Sequence, residues 1–203
     1  MTAPMDQRSL IEAIGDSPIA MVVSNPRIPD NPLEVVNQAF CELTGYREGE
    51  VVGRNCRFLG GVGTDGSARD EIRSAIGDAR PVLTELLNYR SDGTPFRNGV
   101  MIAPLLNDDG DVQYFLGSQV DLGPSGSEDL RERRLRAVDK VAALPQRQRE
   151  VLVRMAHGML NKQIAWDLKI SEKTVKMHRA FLLERLEVAT SAEAIRTAVE
   201  AGY

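Results

Sequence analysis

Cys56 stands at the centre of Gly53-Arg54-Asn55-Cys56-Arg57-Phe58-Leu59, with an amide before it and a guanidinium after it. A thiol is intrinsically nucleophilic, so this is a place where a covalent bond could form. Arg57 and Arg73 carry planar, permanent cations that suit a phosphate. Asn55, Asn88, Asn98 and Gln119 each offer donor and acceptor in one group. Buried amides without partners are costly, so several of them facing one apolar pocket point to a polar heterocycle among them. Val22, Leu33, Phe40, Leu59, Leu86, Val100, Ile102 and Leu116 would line that pocket. The ligand so described has a phosphate at one end and a ring with a polar edge and apolar faces at the other. Cys41 lacks such surroundings and reads as packing.

Elements must bring these residues together. Ser9 and Glu12 make a capping-box pair for a short first helix within residues 1–17. Ile19–Ser24 and Leu33–Asn37 read as strands, with Asn25-Pro26 and Asp30-Asn31-Pro32 as turns between them. Asp65–Asp78 has a helical stripe of Ile72, Ala75 and Ile76. Three further strands follow, Val82–Arg90, Pro95–Leu106 and Val112–Leu122, joined by Ser91-Asp92-Gly93 and Asn107-Asp108-Asp109-Gly110. The cysteine segment would then lie between the second and third of five strands.

The heptapeptide around Cys56 resembles the signature of LOV photoreceptor domains, a branch of the PAS fold, and the likeness extends over roughly residues 18–122. It includes Asn31-Pro32, Asn37, Phe40, Leu43-Thr44, Asn88-Tyr89, Asn98 and Tyr114-Phe115-Leu116-Gly117-Ser118-Gln119. The resemblance implies flavin mononucleotide as cofactor, with Cys56 as the thiol that adds to the photoexcited ring. It places Asn88 and Asn98 on the pyrimidine edge, Gln119 beside ring nitrogen 5 as the signal-relaying amide, Asn55 on the sugar chain, and Arg57 and Arg73 on the phosphate. Gly60 departs from plant members, which carry glutamine there. The missing side chain is expected to leave space near the cysteine and to weaken cofactor retention slightly. The glycine-rich run Val62–Gly66 reads as a mobile loop.

After Gly123-Pro124-Ser125-Gly126-Ser127 the strand signals stop. Residues 1–127 carry 10 Arg/Lys against 18 Asp/Glu, a net −8, whereas residues 128–203 carry 15 against 11, a net +4. All five lysines lie in the second part, so a polyanion partner is suggested for that part alone. Glu128–Ala143 reads as a linker helix with Leu130, Leu135, Val138 and Val141 on one side. Helices follow at about 145–157, 161–168, 172–186 and 191–201. Leu144-Pro145 through Thr174-Val175-Lys176-Met177-His178 resembles a LuxR-type helix-turn-helix over residues 144–203, the linker occupying 123–143. Lys176 and Met177 are then the base-edge readers, with Ala180 beside them on the same face. Lys162, Lys173, Thr174, His178 and Arg179 are phosphate contacts. The last helix has Ala192, Ile195, Ala198 and Val199 on one stripe, which would serve either dimerisation or cover against another surface; in the family this helix commonly dimerises.

The expected architecture is therefore an α+β LOV domain, a five-stranded antiparallel sheet with flanking helices. A linker helix and an all-α four-helix helix-turn-helix domain follow. The resemblance implies a blue-light-regulated transcription factor acting on double-stranded DNA as a dimer when activated, with light releasing the helix-turn-helix from the sheet. A flavin- or ligand-dependent redox-sensing regulator and a light-dissociated repressor stay open as alternatives. His157 and His178 are the only histidines, and no metal cluster or nucleophile–base arrangement accompanies them, so neither an enzyme nor a metal protein is expected. With no run of eighteen apolar residues and no secretory signal at the start, the expectation is a cytoplasmic protein without membrane contact.

Overall fold

The computed structural model describes residues 14–124 and 127–203, apart from the side chains of 127–129. Ser9 and Glu12, and with them the expected cap, lie outside the described residues. Strands β1 (Ala20–Ser24), β2 (Leu33–Val36), β3 (Val82–Tyr89), β4 (Pro95–Leu106) and β5 (Val112–Asp121) form one sheet. Its order is β2-β1-β5-β4-β3, and every pairing is antiparallel. Between β2 and β3 the chain folds into α1 (Gln38–Thr44), α2 (Glu48–Val51), a 3-10 turn (Cys56–Leu59) and α3 (Gly66–Gly77). This is the α+β architecture the sequence calls for.

Local chemistry explains the connections. Asn37 caps α1, its Oδ1 accepting from Phe40 N at 3.0 Å and also from Met21 N at 2.9 Å. Its Nδ2 donates to Ile19 O at 2.8 Å, so one amide stitches the entry of β1 to the first helix. Asp65 caps α3 by accepting from Ser67 N at 2.8 Å. The loop before α3, expected to be mobile, is clasped: Thr64 donates to Leu87 O at 2.6 Å, and Gly63 N donates to the Tyr89 hydroxyl at 3.0 Å.

The second half consists of α4 (Ser127–Ala142), α5 (Gln146–Ala156), α6 (Asn161–Leu168), α7 (Glu172–Leu186) and α8 (Ser191–Glu200). Ser171 caps α7 and Thr190 caps α8. Helix α4 buries only part of the expected stripe, with Leu130 packed against the core. Ala137, Val141 and the following Leu144 are covered, whereas Leu135 and Val138 face solvent. The buried positions recur at spacings of four and three, the period of one helix face, and they pack α4 against α8.

The helical half sits on the sheet. A single apolar cluster runs from Met21, Met101 and Leu116 to Leu152, Ile195 and Ala198. Helix α8 lies against β3 and β4. Leu106 N donates to Gly158 O at 3.0 Å, and Gln163 Nε2 donates to Asn107 O at 2.9 Å. Gly158 has φ +79°, and a Cβ there would stand 2.5 Å from Pro104 O, so only glycine permits this approach. Strand β5 is consequently buried along most of its length.

Candidate functional site

A cavity of about 890 Å³ opens between the sheet's inner face and the α3 side of the domain. The 3-10 turn brings Cys56 to its wall, with Asn55 as N-cap accepting from Arg57 N at 3.0 Å. Asn55 Nδ2 also donates to Asp30 O at 2.6 Å, which ties the Pro26–Asn31 loop over the cavity to the cysteine turn. Strand alternation supplies the opposite wall: Leu86 and Asn88 from β3, Asn98, Val100 and Ile102 from β4, and Phe115, Gly117 and Gln119 from β5. Val22, Leu33 and Leu59 complete the apolar lining, and Ile72 and Ile76 of α3 join it.

Two expected lining residues stand elsewhere. Leu116 lies on the outer face, in the cluster beneath the helices, because odd and even residues of β5 face opposite ways and Gln119 takes the inner face. Phe40 is fully buried behind the wall, packed with Val22, Leu33 and Leu59. Arg27 and Asn31, with Thr64 and Arg69, also line the cavity, and of these only Asn31 stands among the residues that carry the family resemblance. The first two belong to a turn whose side chains carry no periodic signal.

The polar groups are partnered unequally. Asn98 Nδ2 donates to Asn88 Oδ1 at 2.9 Å, leaving Asn98 Oδ1 buried with no partner. Gln119 Nε2 lies 3.8 Å from Cys56 Sγ, and Gln119 Oε1 is likewise buried and orphaned. Orphaned buried acceptors facing an apolar cavity call for a ligand with matching donors. Burial pushes the Cys56 thiol up to about 12, a rise only partly offset by the Gln119 amide, so at neutral pH Cys56 keeps its proton. At the mouth, Arg57 pairs with Asp30 at 2.6 Å and Arg73 with Asp70 at 2.5 Å, all four groups exposed. The space at Gly60 is taken up: a Cβ there would meet Arg69 Nη2 at 2.5 Å.

On the helical half, Lys162, Lys173, Lys176, Met177 and Ala180 are exposed. Thr174 bonds Ser171 through their hydroxyls at 2.8 Å. His178 is half-buried, its Nδ1 without a partner. Arg179, expected to touch phosphate, is turned inward. Its guanidinium donates to Asn161 Oδ1 at 2.6 Å and Ser191 Oγ at 2.8 Å, tying α6, α7 and α8 together. Ala192, Ile195, Ala198 and Val199 are covered, which is the second of the two uses expected of this stripe, cover against another surface. Beside them Arg196 is 2% exposed, with Nη1 donating to Ser118 Oγ at 2.5 Å and Nε to Glu200 Oε1 at 2.7 Å. No sequence period marks this contact, since Arg196 looks like any polar helix residue. Among the described residues no group of His, Cys, Asp and Glu could hold a metal ion, and no helix is long and apolar enough to cross a membrane.

Known proteins match both halves. Residues 18–123 match the PAS domain family, and residues 142–198 match bacterial regulatory proteins of the luxR family. Blue-light-activated histidine kinase 1 of Erythrobacter litoralis is 46% identical over 115 residues, 57% of this chain and 32% of the kinase. A blue-light-activated histidine kinase of Rhizobium johnstonii is 50% identical over 102 residues, 50% of this chain and 30% of the kinase. The chain therefore spans about a third of the length of these curated relatives. Among solved structures, the LOV domain of an Erythrobacter litoralis blue-light activated histidine kinase is 41% identical, with TM-score 0.51, covering 53% of this chain and 98% of that domain. A light-oxygen-voltage domain studied with a flavin analogue is 39% identical, with TM-score 0.57, covering 63% of this chain and 94% of that one. The PAS match spans more than half of the chain, and solved light-oxygen-voltage domains share its fold at about 40% identity; the chain belongs to the PAS domain family, in its LOV branch, joined to a regulatory domain of the luxR type.

Proposed function

We propose that this chain is a non-enzymatic, blue-light-regulated transcription factor that holds flavin mononucleotide in its PAS-type half and binds double-stranded DNA through its luxR-type half. The residues fit the cofactor. The cavity offers apolar faces in Val22, Leu59, Leu86, Val100 and Ile102, and orphaned amide acceptors on Asn98 and Gln119 for a heterocycle's N–H groups. Arg57 and Arg73 at the exposed mouth suit its phosphate, and Asn55 suits its sugar chain. When bound, the flavin would supply blue-light absorption and the electrophilic carbon to which the Cys56 sulfur adds.

The chain's own residues do the rest. Cys56 enters as a neutral thiol and so brings its proton with it. Gln119 has an amide nitrogen near that sulfur and a free Oε1, so it reverses donor and acceptor by turning about its last torsion. The observation that carries the reading is the alternation at Ser118 and Gln119. These neighbours on β5 face opposite ways, Gln119 toward Cys56 and Ser118 toward the buried Arg196 of α8. A change of hydrogen-bonding role at Gln119 shifts the strand that holds α8 in place.

Docking covers Ala192, Ile195, Ala198 and Val199 and leaves Lys173, Lys176, Met177 and Ala180 in solvent. What the dark form masks is pairing with a second copy rather than base reading. Release of α8 lets two chains pair and set two α7 helices on half-sites one DNA turn apart, about 34 Å. Moving a 1:99 equilibrium to 99:1 needs roughly 5.5 kcal/mol, and dimerisation and DNA each add to the share supplied by light. Gel shifts on duplex DNA with parallel sedimentation, in the dark and under blue light, test this. The expected result is a dark monomer with weak binding and a lit dimer with tight binding; equal behaviour in both conditions rules out the switch.

A further inference from the structure

We propose that Arg69, seated on Gly60, is a third cation for the cofactor's phosphate and sets the cavity's preference for a flavin that carries a phosphate over the same ring without one; this rests on the flavin reading above. Four arginines ring the mouth: Arg27, Arg57, Arg69 and Arg73. Asp30 already faces Arg57, and Asp70 faces Arg73. Arg27 donates to Asn25 Oδ1 at 3.2 Å and stacks 5.0 Å over the Tyr114 ring. Among the described residues no carboxylate pairs with Arg69, so its charge is available to an incoming anion.

Its position is held by what is missing from residue 60. A Cβ on Gly60 would stand 2.5 Å from Arg69 Nη2 and 3.4 Å from its Cζ, so the guanidinium rests on the bare backbone that ends the cysteine turn. Arg69 and Arg73 are four residues apart on α3, on the face whose Ile72 and Ile76 also line the cavity. Like charges at that spacing repel across the helix surface. An anion between them and Arg57 turns the repulsion into attraction, and a phosphate monoester is a group that three guanidiniums lining one cavity suit. Gly60 and Arg69 thus work as a pair. Any side chain at 60 swings the guanidinium off its seat, because the far end of a flexible chain yields before backbone does.

The test titrates the apoprotein, sensor and helical halves together, with flavin mononucleotide and with riboflavin, following flavin fluorescence, and reads the ratio of the two dissociation constants. Both ligands share the ring, so a damaged fold weakens both and leaves the ratio alone. Arg69→Gln is expected to lower the preference for the phosphorylated ligand about tenfold, the size of one charge-assisted hydrogen bond. Gly60→Gln should lower it similarly, and the double variant no further, since both changes remove one contact. An unchanged ratio in Arg69→Gln, with a lowered ratio in Arg73→Gln, overturns the role of Arg69. A ratio lost in Arg69→Gln yet kept in Gly60→Gln overturns the seat on Gly60. Failure of the wild-type protein to bind either ligand removes the flavin reading itself, and this inference with it.

Discussion

Ser118→Ala removes one oxygen from the interface between sheet and helix, and its effect follows from what surrounds that oxygen. Ser118 is fully buried, and its Oγ accepts from Arg196 Nη1 at 2.5 Å. Arg196 is itself buried, and its Nη2 has no partner. Without the hydroxyl, two of its three donor nitrogens would lack partners in the docked form and only the bond to Glu200 would remain. In the undocked form water solvates the guanidinium, so the loss falls on docking alone. A hydrogen bond to a charged group is worth about 1.5–3 kcal/mol when its removal strands the partner, which moves the docking equilibrium roughly 10- to 150-fold toward release. The assay is dark-state sedimentation and a dark gel shift, beside an absorption spectrum to confirm that the inner face of the sheet is undisturbed. The variant should dimerise and bind DNA in the dark at protein concentrations where the wild type does neither. A variant as monomeric and as silent as the wild type in darkness would refute the reasoning, because Arg196 would then contribute nothing to holding α8.

Further outcomes follow from single contacts. Gly158→Ala places a Cβ 2.5 Å from Pro104 O at a positive φ, so it should also loosen docking and raise dark dimerisation; unchanged dark sedimentation would argue that this approach is not needed. Arg179→Ala should lower the stability of the helical half by about 1–3 kcal/mol in denaturant unfolding, because it cuts the ties to Asn161 and Ser191; a change confined to the salt dependence of DNA binding would point to a phosphate contact instead. Because the folded Cys56 thiol stays protonated to about 12 while an unfolded one ionises near 9.0, this residue makes folding stability fall as pH rises from 9 toward 12 and adds no slope below 9. Comparing Cys56→Ala with the wild type by urea unfolding at neutral and alkaline pH should show a steeper alkaline loss of stability in the wild type; equal slopes would contradict it.

Much of this was legible in the sequence, for reasons the structure makes plain. Turn formers such as Asn107–Gly110 and the period-two runs located all five strands, because a strand between tight turns has little freedom in where it starts and stops. The cysteine segment was legible because its residues serve one local turn: Asn55 caps it and Gly60 ends it. The same alternation, applied fully, separates Leu116 from Gln119, whose positions on β5 differ by an odd number and so face opposite sides. Contacts between distant segments left no trace. Nothing local marks Arg69 as resting on Gly60, Arg179 as binding Asn161, or Arg196 as reaching Ser118, and on α4 Leu135 and Val138 are exposed although apolar, which hydropathy alone does not reveal. Burial of the last helix depends on a sheet face more than seventy residues earlier, beyond the reach of any window.

The central claim is that the thiol of Cys56 lies within reach of a bound ring that blue light excites. The most direct measurement is the absorption spectrum of the purified protein before and after blue illumination, beside that of Cys56→Ala. The expected result is a yellow wild-type protein whose blue band is lost on illumination and returns in the dark, and a yellow variant whose band persists. A colourless protein that takes up no added flavin mononucleotide, or a variant that bleaches and recovers like the wild type, would contradict it.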